Sequence, residues 1–157
     1  MSIDTTNPPR PLPAVLTEVK NAAVSKVLQR AAGAGHPDIR EGYGCVFGFI
    51  DLEHGSRLTE LAERAGLTKQ AVGEAVTDLE RIGYVTREPD PEDGRAKIIK
   101  LTDHGLDAYW TARRLFAEIE QEWADELGEE VLATFRETAE RIHQLEAARS
   151  DASRALA

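Results

Sequence analysis

Polar and basic residues in one short stretch have the types and spacing of a nucleic-acid contact surface. Thr68, Lys69 and Gln70 stand at the start of a predicted helix, and Gly73 and Thr77 follow on the same face. In the first turn of a helix lying in the major groove, lysine and glutamine reach base edges and phosphates. Gly73 would permit close backbone approach, or would simply weaken the helix. The alternative is a solvated helix in a protein-binding module.

A second charged group surrounds a turn-rich loop at residues 88–94. Asp93, Arg95 and Lys97 lie at or just after its tip, and Arg87 precedes it. Lys97 is suited to a backbone phosphate, and Arg87, at the base of the loop, could contact either the phosphates or a groove. Two basic elements on one small domain favour DNA as the partner.

The elements that hold these residues are two helices joined by a tight turn. Apolar residues at helical spacing predict a helix from Leu58 to Ala65, and Gly66 ends it. Leu67 is predicted to fill the corner, Thr68 caps the second helix, and Gly83 ends that helix. This arrangement is typical of a helix-turn-helix.

Two runs of β-forming residues follow, at residues 84–87 and 96–101. The loop between them contains Asp93-Gly94, a hairpin signal. Helix, turn, helix and hairpin together predict a winged helix-turn-helix.

Three runs of sequence carry a family resemblance: Leu79-Glu80-Arg81-Ile82-Gly83-Tyr84-Val85, Asp93-Gly94-Arg95-Ala96-Lys97 and Leu101-Thr102. The region from Arg57 to Leu106 resembles the MarR family of bacterial transcriptional regulators. The resemblance implies that Arg95 enters the minor groove, where the negative potential favours arginine. It also implies that Asp93 orients Arg95. The alternative is a surface ion pair worth at most ~1 kcal/mol.

The distribution of charge is compatible with DNA binding although the chain is acidic. The net charge is −9, but residues 1–56 and 57–100 each carry −1 and residues 101–157 carry −7. The excess of acidic residues therefore lies outside the helix-turn-helix. Contact with phosphates depends on the charge of the surface that faces the DNA, not on the net charge of the chain. The sequence has no stretch of ~20 apolar residues and no secretory signal, so a cytoplasmic protein without a membrane partner is expected.

The regions flanking the winged helix predict a homodimer. Residues 1–11 are read as a disordered arm, 12–35 as an N-terminal dimerisation helix, 36–101 as the DNA-binding domain, 102–148 as C-terminal dimerisation helices, and 149–157 as a flexible tail. The expected fold is thus mainly α with a small β-wing (α+β). Apolar residues at heptad-like spacing on the last helix would form the dimer contact; they are Val131, Phe135, Ile142 and Leu145, with Leu127 just before them. The resemblance implies that the first helix, which carries Leu16 and Val19, also belongs to the dimer interface.

A glycine-interrupted helix from Asp38 to Leu52 is expected to pack near the dimer helices. Its aromatic residues and those of the following long helix would meet at a junction where similar regulators bind small aromatic or lipophilic ligands. The residues are Tyr43, Phe47, Tyr109, Trp110 and Phe116. Ordinary hinge packing is the alternative for this group.

The remaining reactive residues predict no enzyme, cofactor or metal site. Cys45 is the single cysteine and lies among apolar residues, which favours a packing role over a redox sensor. Glu140 and His143 have Glu-x-x-His spacing, but a metal site of that kind needs a second copy.

The sequence therefore predicts a homodimeric repressor that binds a pseudo-palindromic, inverted-repeat DNA duplex. A small effector is expected to release it. The competing hypothesis is a winged-helix module that uses the same face to bind a protein.

Overall fold

A computed structural model of the chain describes the backbone of residues 9–155 and the side chains of residues 9–150. Most of the predicted arm at residues 1–11 lies outside the described residues. The chain divides into two compact units, Met1–Phe116 and Ala117–Ala157. No helix in the described part is long and apolar enough to cross a membrane.

The chain is mainly helical with one small sheet, as predicted. The first unit begins with α1 and contains the winged helix. The long helix α5 begins in that unit and ends in the second, which also holds α6. The elements are α1 (Leu12–Gly33), a 3₁₀ turn (Glu41–Tyr43), α2 (Gly44–Phe47), β1 (Ser56–Arg57), α3 (Leu58–Ala65), α4 (Lys69–Arg81), β2 (Val85–Pro89), β3 (Lys97–Leu101), α5 (Asp103–Leu127) and α6 (Glu129–Ala155).

The helix predicted from Asp38 to Leu52 is wrong in length, because only residues 41–47 are helical. Glycine lowers helix stability throughout this segment. Beyond α2, the Asp51 carboxylate accepts hydrogen bonds from the backbone N–H groups of Glu53, at 2.8 Å, and His54, at 2.9 Å. A short polar side chain that binds the backbone in this way stabilises a turn in place of a helix.

The wing is a three-stranded antiparallel sheet in the order β1-β3-β2. The two predicted strands are confirmed with shifted ends, and β1 was not foreseen. Ser56 pairs with Ile99 in the sheet, and its Oγ accepts a hydrogen bond from the Asp51 N–H at 3.0 Å. Arg57 occupies the cap position, and its N–H donates to the Glu60 carboxylate at 3.0 Å.

The core of the first unit lies between α2, α3, α4 and the sheet. Val72, Val76 and Leu79 on α4 are fully buried, as their helical spacing predicts. Gly66 has the left-handed φ of 66° expected for the residue that ends α3. Leu67 was predicted to fill the corner after it, but its side chain is 50% exposed. That prediction was wrong.

In the second unit, Gly128 separates the two helices with a φ of 96°. Helix α6 continues through Ala155, well into the tail predicted at residues 149–157. The alanine-rich and charged composition of this segment was interpreted as a flexible tail. The same residues are good helix formers, which explains why the helix continues through them. Residues 156–157 lie outside the described part.

Candidate nucleic-acid interface

The N-terminus of α4 presents its predicted contact residues to solvent. The Thr68 hydroxyl accepts a hydrogen bond from the Ala71 N–H at 3.2 Å, which caps the helix and fixes its first turn. Lys69 and Gln70 are exposed in that turn. Within the described residues, the Lys69 ammonium group has no hydrogen-bond or ion-pair partner. It is therefore available to a phosphate.

A shallow groove runs along the exposed face of α4 towards β2. It brings four predicted contact residues together: Gln70, Gly73, Thr77 and Arg87. The groove is also lined by Glu74, whose carboxylate accepts a hydrogen bond from the Gln70 amide at 3.2 Å. The Gln70 side chain is thus held by its own helix.

Arg87 crosses from the base of the wing to the recognition helix. Its guanidinium donates to the Thr77 hydroxyl at 3.0 Å and to the Glu80 carboxylate at 2.5 Å. Sequence reasoning assigned Arg87 and Thr77 to DNA and overlooked Glu80, which lies seven positions before Arg87. In this state the arginine joins the wing to α4, and its charge is compensated.

The wing tip carries the other predicted contacts, and Asp93, Arg95 and Lys97 are all exposed. The Asp93 carboxylate accepts a hydrogen bond from the Arg95 backbone N–H at 3.0 Å, so it shapes the loop. In the part of the chain that the structure describes, the Arg95 guanidinium and the Lys97 ammonium make no ion pair. The expectation that Asp93 orients the Arg95 side chain is therefore replaced by a contact to its backbone.

The wing is anchored at its base by a residue pair that the sequence did not reveal. The Arg57 guanidinium binds the Asp90 carboxylate, with Nε 2.6 Å from Oδ2. The other carboxylate oxygen accepts the Glu92 N–H at 2.8 Å. These hydrogen bonds lower the pKa of Asp90, and the one from the Glu92 N–H has the largest effect. The loop that carries Arg95 therefore has a fixed attachment to β1.

A small cavity lies between α1, α2 and the first half of α5. Its volume is about 120 Å³, and aliphatic and aromatic side chains form most of its wall. Phe47 and Phe116, two of the predicted effector residues, line it. On α5, Ala108, Ala112 and Phe116 face the cavity because residues four apart share one face of a helix.

The other three predicted effector residues do not line this cavity. Tyr43 is 4% exposed and belongs to the core of the winged helix. Tyr109 packs edge-on against Trp110, with 5.0 Å between ring centroids, and Trp110 is 59% exposed. Both positions are rotated away from the face shared by Ala108, Ala112 and Phe116, so they lie outside this cavity.

Cys45 is buried, and its thiol donates to the Gly42 carbonyl at 3.1 Å. Burial raises the pKa of the Cys45 thiol, which lowers the reactive thiolate fraction. Among the described residues, no group of three or more histidine, cysteine or carboxylate side chains is arranged to hold a metal ion.

Each unit leaves an apolar stripe on its surface. In the first unit, Leu16 and Val19 on α1 are 38% and 37% exposed. In the second unit the exposed residues are larger in number and follow the predicted heptad-like spacing; they are Leu127, Val131, Phe135, Ile142 and Leu145. Exposed apolar surface of this kind is a feature of interaction sites.

The fold and this site define a winged helix-turn-helix protein. Residues 43–96 match the sequence model of the MarR family. The matched segment runs from the 3₁₀ turn to the wing, and in it the chain is similar to the MarR family of winged-helix transcriptional regulators.

Solved structures share the fold over most of the chain. Apo MarR from E. coli is 21% identical, with a TM-score of 0.68 over 84% of this chain and 96% of that one. The PcaV regulator of Streptomyces coelicolor, in complex with its natural ligand, is 22% identical, with a TM-score of 0.66 over 92% and 97%. An S. aureus MepR mutant bound to an oligodeoxyribonucleotide is 22% identical, with a TM-score of 0.56 over 89% and 99%.

One curated protein matches a shorter segment. The riboflavin kinase of Thermoplasma volcanium is 34% identical over 61 residues, which are 39% of this chain. The chain spans 25% of the length of that relative. The winged-helix regulators of the MarR family are DNA-binding proteins and not enzymes.

Proposed function

We propose that the chain is a homodimeric repressor that binds a pseudo-palindromic DNA duplex through α4 and the wing. The observation that carries this proposal is a set of three exposed cations, Lys69, Arg95 and Lys97, that lack an ion-pair partner among the described residues. The recognition helix enters the major groove, and Arg95 enters the adjacent minor groove. Two copies read half-sites about one helical turn apart.

A second copy of the chain covers the apolar stripes of α1 and α6. Ile142 and Leu145 on α6 are 44% and 59% exposed, which is unfavourable for a monomer in water. Pairing matters for function because a single winged helix with nearly balanced charge binds DNA weakly. The MepR structure bound to an oligodeoxyribonucleotide has the same fold and supports this proposal.

The cavity between α1, α2 and α5 is the proposed effector site. Its apolar wall suits a compact aromatic or lipophilic ligand. PcaV in complex with its natural ligand shares the fold and supports a ligand-controlled regulator. Ligand binding here releases the duplex.

Selection from a random duplex library, followed by a salt titration, tests the proposal. Enrichment of an inverted repeat is expected, together with an affinity that falls steeply as salt rises, because counterions are released. The competing function is a protein-binding module, favoured by Glu74 and Asp78, which line the same groove on α4. An unenriched library would support that module and refute the repressor.

A further inference from the structure

A buried histidine connects the cavity to the end of the recognition helix. His36 is 2% exposed, with Nε2 3.0 Å from the Asp107 carboxylate and Nδ1 3.3 Å from the Tyr84 hydroxyl. A carboxylate only accepts hydrogen bonds, so the neutral imidazole carries its proton on Nε2. Nδ1 then accepts the Tyr84 hydroxyl proton. No sequence pattern indicates this arrangement, because the three residues are far apart in the chain.

Tyr84 is held in a defined position by its surroundings. It is 1% exposed, its ring lies 4.2 Å from that of His104, and Phe47 packs against it edge-on at 6.2 Å. Burial raises the pKa of the Tyr84 phenol, and the charges of Asp38 and Asp107 act in the same direction. The hydroxyl therefore keeps its proton and remains a donor to His36.

Tyr84 also belongs to a rigid joint between α4 and α5. Its N–H donates to the Leu79 carbonyl at 2.8 Å, and its carbonyl accepts the Thr102 N–H at 3.0 Å. The Thr102 hydroxyl donates to the Gly83 carbonyl at 2.7 Å. A Cβ at Gly105 would lie 2.0 Å from the Tyr84 carbonyl oxygen, so the two backbones are in direct contact. A movement of Tyr84 is thus transmitted to the last turn of α4.

The His36 side chain forms part of the cavity wall, so a molecule that enters the cavity would contact it. The polar residues that line the wall are His36, Arg40 and Glu41. Glu41 lies 3.6 Å from the Lys20 ammonium, and among these three it is His36 that bonds to Tyr84. A hydrogen bond of 3.3 Å is already long, and a small displacement of the imidazole would break it.

We propose that His36 is a positioning residue that couples occupancy of the cavity to the recognition helix through the Tyr84 hydroxyl. A ligand displaces the imidazole, Tyr84 loses its acceptor, and the end of α4 is no longer held in the DNA-binding position. This coupling rests on the proposed function, because it describes how the effector cavity regulates binding to DNA.

A double-mutant cycle tests the coupling without knowledge of the ligand. Ala112→Leu fills the cavity from α5, and Tyr84→Phe removes the hydroxyl while keeping the ring that packs against His104 and Phe47. Each variant is expected to weaken duplex binding roughly two- to tenfold, the effect of one hydrogen bond. The double variant should bind the duplex no more weakly than either single variant, because both substitutions break the same contact. If the two factors multiply, the coupling does not run through Tyr84.

A matched control comes from Arg40, which lines the same cavity. In an Arg40→Gln background, Ala112→Leu should weaken binding by the same factor as in the parent chain. If Ala112→Leu no longer weakens duplex binding in the Arg40→Gln background, the coupling depends on Arg40, and the role of His36 is refuted. Ala112→Val replaces the leucine variant if that chain does not fold.

Hydrogen exchange separates this inference from the DNA-binding proposal. The backbone N–H groups of Ile82, Gly83 and Tyr84 are hydrogen-bonded at the end of α4. Their exchange should be equally fast in Ala112→Leu, Tyr84→Phe and the double variant, and slower in the parent chain. The exchange rates are expected to follow this order even if the chain binds no duplex. In that case the repressor proposal fails while the coupling between His36 and Tyr84 stands. Unchanged exchange in Ala112→Leu would overturn the inference, whatever the DNA result.

Discussion

Arg57 and Asp90 form an ion pair across the base of the wing, with Nε 2.6 Å from Oδ2 and 33 positions between them in the chain. The Asp90 side chain is 2% exposed and the Arg57 side chain 37%. Arg57 is also the residue at the start of α3 and pairs with Ile98 in the sheet. One carboxylate therefore links the loop that carries the DNA-contacting cations to both the sheet and the helix-turn-helix.

Replacing Asp90 by asparagine should lower stability in a pH-dependent manner. The pKa of Asp90 is lowered in the folded chain by hydrogen bonds from the Glu92 N–H and from Arg57. A lowered pKa gives stability that is fully present above the unfolded value of about 3.9 and is lost as the pH falls through the folded value. Denaturant titrations should show a constant difference between parent and Asp90→Asn chains from pH 8 to about 5, and a shrinking one at lower pH.

Glu92→Gln is the control for that titration, since its exposed side chain can change while its N–H still donates to Asp90. It should leave the pH profile unaltered. A difference between parent and Asp90→Asn that grows as the pH falls would contradict the assignment.

The sequence predicted what is local and missed what depends on tertiary contact. The cap at Thr68 and the break at Gly66 follow from residue type at one position, and the structure has them. The Arg57–Asp90 pair and the bond between His36 and Tyr84 join residues 33 and 48 positions apart. No periodicity reports such pairs.

Arg95→Ala should weaken duplex binding by roughly 1–3 kcal/mol, because the free guanidinium is assigned to the minor groove. The matched control is Lys100→Ala, since Lys100 follows the same loop in β3 but its ammonium is 2.9 Å from the Glu88 carboxylate. Fluorescence anisotropy with the selected duplex should show a large loss for Arg95→Ala and a small one for Lys100→Ala. If both variants lose the same affinity for the duplex, the wing tip does not contribute to specific recognition.

Glu80→Gln should strengthen DNA binding by freeing Arg87. The Glu80 carboxylate holds the Arg87 guanidinium, and exposed pairs of this kind are worth roughly 0.2–1 kcal/mol. The released cation can reach a phosphate, so affinity should rise about two- to fivefold, and the dependence on salt should steepen. The gain should disappear in an Arg87→Gln background. If it persists there, Glu80 acts by general repulsion of the duplex.

Gly73 and Gly105 should respond in opposite ways to alanine. A Cβ at Gly73 would lie 3.7 Å from Leu58 Cδ2, an ordinary contact, so Gly73→Ala should stabilise α4 by up to about 1 kcal/mol. A Cβ at Gly105 would overlap the Tyr84 carbonyl oxygen, and the strain should cost roughly 1–3 kcal/mol. Thermal unfolding measures both. If Gly73→Ala is more stable but binds the duplex less tightly, close backbone approach to DNA is the reason for glycine at this position.

Charged substitutions on α6 test whether the dimer is required for DNA binding. Ile142→Glu with Leu145→Glu should yield monomers in sedimentation equilibrium. The two substitutions remove exposed apolar side chains from the proposed interface and place like charges of the two copies close together. Gln144→Glu, exposed on the same helix, adds a charge away from the stripe and should remain dimeric. The monomer should bind a single half-site weakly, with about half the salt dependence, because it neutralises half as many phosphates. A monomer that keeps the full affinity would show that one winged helix suffices, and a dimer that survives both substitutions would move the interface off this stripe.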